Sequence, residues 1–267
     1  MEQVRRFMMW FLSIVFLLGL SIGSFINAWS FRYKTSRSIF APSSCFSCGK
    51  KLTWIELVPI LSFVFLHGKC RSCRARISFQ YPLVELITGL VFVFIAYRFG
   101  FATTNYLLLT THFVFWSLLI AISVYDIRQT IIPNGGAYFL AALGFISPII
   151  FGNPEMIFQL EHIIAGPLLA LPLACFWFFS RGKWMGLGDA KLELGIGWFL
   201  GLSLGLSGML SAFWLGALVG VGLIVASRIA QHFSFSMKSE LPFGPFLAFG
   251  AFVAWFFDLS IASFLYV

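Results

Sequence analysis

Charge is what this chain has least of. Only 10% of its 267 residues are charged and Asp and Glu together number ten, against roughly 25% charged residues in a soluble domain. With 60% hydrophobic and 19% aromatic residues, the composition excludes a soluble globular protein. A bilayer core of about 30 Å takes about 20 apolar residues per helix. On that measure the chain reads as an all-α, polytopic membrane protein with about eight transmembrane helices, near 7–29, 82–98, 104–125, 132–151, 161–179, 191–206, 209–230 and 243–266. The stretch 191–206 is short and glycine-rich, which fits a tilted span or one that starts in the interface.

Other absences narrow the function. The net charge of +8 is not carried by a large basic domain with interleaved aromatics, so nucleic-acid binding is excluded; basic loops at an inner leaflet attract anionic lipid instead. Arg5 and Arg6 precede the first apolar run, but that run is too long for a signal-peptide core, and Asn27-Ala28-Trp29 is not a small-residue cleavage pattern. Gly205-Leu206-Ser207-Gly208 resembles the serine motif of rhomboid proteases, yet His232 falls on the other side of the membrane from Ser207, and nothing in the sequence brings His112 or His162 close.

Lys and Arg collect in cytoplasmic loops. Placing 30–81 inside puts nine there (Arg32, Lys34, Arg37, Lys50, Lys51, Lys69, Arg71, Arg74, Arg76), and alternation adds Arg128, Arg181, Lys183, Lys191, Arg228 and Lys238. Only Arg5, Arg6 and Arg98 then lie outside, so both termini are expected at the exterior face.

Two acids stand out at span boundaries: Asp126, ending the third, and Asp189 in Gly186-Leu187-Gly188-Asp189, opening the sixth. A carboxylate at the membrane is costly, and glycines before it admit a substrate backbone. Asp189 also fits a plain helix cap. Asp126 does not, because a helix C-terminus repels a carboxylate. The alternative to catalysis is an ion- or proton-coupled transporter using the same pair; the position at a membrane edge and the lack of a convincing inverted repeat speak against it.

The polar loop carries Cys45-Phe46-Ser47-Cys48 and Cys70-Arg71-Ser72-Cys73. Two such turns close a tetrahedral, structural Zn²⁺ site, whereas disulfides do not suit a reducing cytoplasm. Metal would fold a segment with too few apolar side chains for a core. Cys175 reads as a small core residue. The organisation expected is a first helix over 1–29, a cytosolic Cys₄ loop domain over 30–81 and a seven-helix membrane catalytic core over 82–267. Glycines at four-residue steps, Gly197, Gly201, Gly205, Gly216 and Gly220 among them, are expected to pack helices closely. Pro242, Gly244 and Pro245 at the last span's entrance fit either an extended edge for a substrate backbone or a simple helix-start proline.

Taken in order, Gly23-Ser24-Phe25-Ile26-Asn27, the paired cysteine turns, Arg76-Ile77-Ser78 with Tyr81-Pro82-Leu83-Val84-Glu85, Asp126 followed by Ile132-Pro133, Gly186-Leu187-Gly188-Asp189 and Pro242-Phe243-Gly244-Pro245-Phe246-Leu247 resemble the type IV prepilin peptidases, GxGD-class membrane aspartyl proteases. The chain departs from the pattern at Asn134, where an aspartate is frequent, and at Trp29-Ser30-Phe31-Arg32. The resemblance implies a bacterial inner-membrane endopeptidase that cuts the basic leader from prepilins or type II secretion pseudopilins on the cytosolic side. It also implies that Asp126 and Asp189 are catalytic, with Gly186, Gly188, Pro242, Gly244, Pro245 and Glu85 in support. Many relatives with the four cysteines also methylate the new N-terminus from S-adenosylmethionine, although no donor site is recognisable in this sequence. Helix ends assign the water-activating role to Asp189 and the acid role to Asp126, labels that a coupled pair can exchange. Glu56, Glu85 and Glu193 are further acids available to position groups or to receive the leader's charge.

Overall fold

The computed structural model describes residues 2–35, 38–39, 41–100, 106–229 and 241–260. Arg37, His232, Lys238 and the end of the expected eighth span therefore lie outside the described residues, as does the side chain of Arg228. Two compact units divide the chain, Met1–Ser117 and Leu118–Val267. All regular structure among the described residues is helical, apart from two isolated antiparallel bridges in the cysteine loop.

In the first unit α1 (Glu2–Arg32) packs along α3 (Gln80–Phe99). Small residues set their separation: a Cβ on Gly19 would stand 2.7 Å from Gly89 Cα, and one on Gly23 2.7 Å from Glu85 Cα. Val15, Phe92 and Ala96 are buried there, and Phe113 stacks on Phe92 with ring centroids 4.3 Å apart. Between the two helices lie the cysteine turns and a short helix, α2 (Leu61–Phe65). The next helix, α4 (Tyr106–Gln129), runs through the division into the second unit.

The second unit continues with α5 (Asn134–Ile150), α6 (Leu160–Ser180), α7 (Leu187–Ile229) and α8 (Gly244–Phe257). Here α7 is the hub, packing against α5, α6 and α8. A Cβ on Gly195 would meet Ala141 N at 2.9 Å, one on Gly166 would meet Leu194 O at 2.7 Å, and one on Gly208 would meet Ala251 Cα at 2.9 Å.

Among the described residues, five helices are long and apolar enough to cross a membrane: Glu2–Arg32, Gln80–Phe99, Tyr106–Gln129, Leu160–Ser180 and Leu187–Ser227; Asn134–Ile150 and Gly244–Phe257 are shorter. Three expectations need correction. The break between the sixth and seventh expected spans is at Gly201, whose φ of 79° and ψ of 172° interrupt α7, while Ser207 and Gly208 lie within helix. Close packing therefore does not account for every glycine of the series: Gly201 serves the break, and a Cβ on Gly220 would meet nothing within 4 Å. The last helix stops at Phe257, because Asp258 takes a left-handed conformation and the Leu259 N–H turns back to Ala254 O at 3.0 Å.

Candidate functional site

Asp126 falls in the last turn of α4 and Asp189 in the first turn of α7, as the sequence leads one to expect. Both are buried, at 4% and 7% exposure, and each carboxyl lies within electrostatic reach of the other. The segments that carry them touch directly: a Cβ on Gly188 would stand 2.7 Å from Ile132 Cβ, so glycine before Asp189 is what admits the Ile132-Pro133 turn that follows Asp126. The second tie joins Lys191 Nζ to Asn134 Oδ1, at 2.9 Å. Asn134 is the residue that departs from the prepilin peptidase pattern, and its amide oxygen still accepts from the lysine.

Gly244 supplies the third wall. Its N–H, free at the start of α8, donates to Asp126 Oδ2 at 3.0 Å, and a Cβ there would lie 2.9 Å from the same oxygen. Pro245 occupies the first turn of α8, the helix-start reading of this proline pair, while Leu241 and Pro242 lie outside any regular element. At Asp189 the backbone N–H groups of Gly186 and of Asp189 itself face the carboxylate. The arrangement is two buried carboxyls held by backbone donors, with glycine at the points of closest approach. Such a pair repels when doubly ionised and is most comfortable sharing one proton.

One turn along α7, Glu193 is 1% exposed, and its Oε1 accepts no hydrogen bond among the described residues. Ser207 bonds back to Ser203 O within its helix, and His162 lies against Phe145 O. His112, in the first unit, lies against Leu108 O. None of them forms a serine–histidine pair with another among the described residues.

Glu85 belongs to the first unit, where its Oε2 accepts the Ile60 N–H at 2.7 Å. Ile60 has φ 59° and ψ −52°, with the Leu61 N–H bonded to Pro59 O at 2.5 Å. This is a strained γ-turn on a β-branched residue, which no sequence pattern announces.

The cysteine turns are built alike. The Cys45 N–H bonds to Lys50 O and that of Cys70 to Ala75 O, and the fourth residue after each, Gly49 and Arg74, has positive φ. The four sulfurs of Cys45, Cys48, Cys70 and Cys73 lie within 4.8 Å of one another, with Cys45 and Cys73 3.7 Å apart. Tetrahedral zinc with bonds of about 2.3 Å separates its sulfurs by about 3.8 Å. The backbone N–H groups of Cys48 and Ser47 draw the Cys45 thiol down to about 6, which favours the thiolate a metal needs. The donor set and spacing could hold a metal ion.

Comparison with known proteins shows the family. Residues 17–99 match the family model described as bacterial peptidase A24 N-terminal domain, and residues 113–221 that of the type IV leader peptidase family. A protein of Bacillus subtilis (strain 168) named prepilin leader peptidase/N-methyltransferase is 39% identical over 262 residues, covering 95% of this chain and 97% of the relative. Proteins of the same name from Aeromonas hydrophila and Pseudomonas aeruginosa are 32% and 31% identical, covering 94% and 91% of this chain and 92% and 89% of theirs. No solved structure matches. The transporter alternative gains no support from these relatives. By sequence along nearly its whole length, this chain belongs to the type IV leader peptidase family.

Proposed function

We propose that the protein is a membrane aspartyl endopeptidase that removes the basic leader of prepilins or pseudopilins, using Asp126 and Asp189 as a dyad. The observation that carries this reading is the pair itself: two buried carboxyls on separate helices, brought within reach of each other in a chain of this family. One carboxylate takes a proton from water as it attacks the scissile carbonyl, while the other, protonated, polarises that carbonyl and then protonates the departing amine. Asp189, in the first turn of its helix, takes the base role, and Asp126, fixed by the Gly244 N–H, takes the acid role. Gly188 sets the close approach of the Ile132-Pro133 turn, while Gly186, with Pro242 and Pro245, leaves room beside the acids for an extended substrate backbone.

The chain crosses a bacterial inner membrane eight times, α7 counting as two crossings parted at Gly201, with both termini outside and residues 30–81 in the cytosol as a Cys₄ domain. This puts both acids at the cytosolic face, where a leader retained by its own positive charge and by anionic lipid presents its junction to 82–267. Cys45, Cys48, Cys70 and Cys73 hold structural zinc. The relatives' name supports a second activity, methylation of the new N-terminal amine, for which S-adenosylmethionine supplies an electrophilic methyl group when bound. Incubating the purified protein with a prepilin and sequencing the product's N-terminus tests the peptidase reading. A single new N-terminus at the leader junction is expected, and an intact substrate would overturn it.

A further inference from the structure

The apolar run at 54–65, between the two cysteine turns, carries a single charge, Glu56. That charge is turned inward. Its side chain is 3% exposed, accepts from the Thr53 N–H and hydroxyl at 2.8 Å, and faces Lys50 Nζ at 3.5 Å. Ser62, Phe63 and Leu66 turn inward as well, toward Ser24 and Ala28 of α1, with which they line a cavity that Glu56 and Glu85 also border. The remaining apolar side chains face away from it. Trp54 is 77% exposed and Phe65 76%, and Ile55, Leu61 and Val64 are exposed with them. A continuous apolar face of this kind marks a surface with a partner.

The level of this face is set by α3. The Ile60 N–H donates to Glu85 Oε2 at 2.7 Å. Glu85 is five residues past Gln80, the first residue of α3, a rise of about 7.5 Å along the helix. Leu83, Leu86 and Ile87 on the same stretch of α3 are exposed, and α3 is long and apolar enough to cross a membrane. When α3 spans a bilayer those side chains meet acyl chains, and the run at 54–65 is tied to the level of the headgroups and upper acyl chains. Irregular backbone at that level needs its donors satisfied within the protein, which Glu85 does for Ile60.

Charge identifies the partner. Lys51, Lys69, Arg71, Arg74 and Arg76, which flank the run, are exposed, and Glu56 is the only acid between Glu2 and Glu85. A second copy would bring like rims together, and a basic leader peptide would be repelled, whereas the phosphates of an anionic lipid surface attract them. Tryptophan and aliphatic side chains beside Lys and Arg are also the composition of segments that lie in a bilayer interface. We propose that residues 54–65 form a membrane-docking face, with Trp54, Ile55, Leu61, Val64 and Phe65 among the headgroups and upper acyl chains of anionic lipid and the flanking lysines and arginines on its phosphates. This goes beyond the attraction of a basic loop to a leaflet, because it assigns the side chains that enter it. The cysteine loop is then held on the bilayer by α1, by α3 and by this face, and stays at the depth at which a membrane-held substrate emerges.

The test is photocrosslinking of the full-length protein in phosphatidylglycerol nanodiscs, with p-benzoylphenylalanine in place of Trp54 and, separately, of Phe65. A nanodisc presents the same lipid on both faces and needs no pilin, so the result is independent of the orientation and the activity proposed above. Lipid adducts are expected at both positions. Their absence at either one, in protein shown to be folded by circular dichroism, would overturn the proposal, as would crosslinks to a second copy or to added prepilin in place of lipid. In phosphatidylcholine nanodiscs the adduct yield should fall severalfold, and an unchanged yield would overturn the part assigned to the basic rim. Adding Val64→Asp and Phe65→Asp should lower the yield at position 54, because a charge resists entry into the bilayer. Both side chains are exposed, so the fold should be kept. An undiminished yield in that variant would show that position 54 meets lipid without the rest of the face and would overturn the shared insertion.

Discussion

Gly244 donates its N–H to Asp126 Oδ2 at 3.0 Å, and that oxygen also occupies the space a side chain at 244 would need. Gly244→Ala should therefore displace the Asp126 carboxyl by a few tenths of an ångström or more without preventing helix formation, since Gly244 does not have positive φ. Small misplacements of reacting groups cost up to about 10²-fold in rate. The expected outcome is a folded protein whose kcat falls by about tenfold to 10²-fold with KM little changed. Full activity would show that the contact is incidental.

A complementary pair tests the contact between the two motif segments. Gly188→Ala should lower both activity and thermal stability, because its Cβ would stand 2.7 Å from Ile132 Cβ. Overpacking of this kind typically costs about 1–3 kcal/mol. Adding Ile132→Gly removes the obstructing Cβ and the atoms beyond it and should restore part of the loss. Thermal melts and cleavage rates of the two singles and the double give the coupling, and strict additivity would argue that Gly188 is required for some other reason.

The cysteine loop should bind one zinc per chain. Metal analysis of the purified protein checks the stoichiometry, and Ser at Cys45, Cys48, Cys70 or Cys73 should lower it. Chelation should make residues 38–79 sensitive to proteolysis, because the two short helices there, Trp54–Leu57 and Leu61–Phe65, bury only Glu56 between them. A metal-free preparation with unchanged protease resistance would remove the structural role.

Methyl transfer should be separable from cleavage. Asp126→Asn and Asp189→Asn protein, given a mature pilin, should still incorporate label from a radiolabelled methyl donor at a rate near that of the wild type. Loss of incorporation in folded dyad variants would mean that the two reactions share these acids.

Much of the candidate site was legible in the sequence because the spacing of its residues is local. Gly186-Leu187-Gly188-Asp189 and the two Cys-x-x-Cys turns carry their meaning within four residues each, and the sparsity of acids drew attention to Asp126. What was hidden depends on which atoms meet across helices. The Gly244 N–H reaches Asp126 from 118 positions away, and Asn134 meets Lys191 from 57 away; neither pairing has a periodic signature. The break in α7 was misplaced for a related reason: glycines recur throughout that stretch, and only backbone conformation distinguishes Gly201, which bends, from Gly205, which packs against Leu169. Likewise Glu56 and Glu85 were visible as acids, but the cavity they border depends on aromatic residues of α1 and of the loop meeting in space.

The central claim is that Asp126 and Asp189 act as one unit. Its most direct measurement is the single-turnover rate of prepilin cleavage by Asp126→Asn, Asp189→Asn and the double variant, each shown to be folded and membrane-inserted. Each single substitution should slow cleavage by at least about 10²–10⁴-fold, the range for loss of a general acid or base, and the double should be scarcely slower than either single. Substantial cleavage by either single variant, or losses in the double that multiply as for independent residues, would contradict the account.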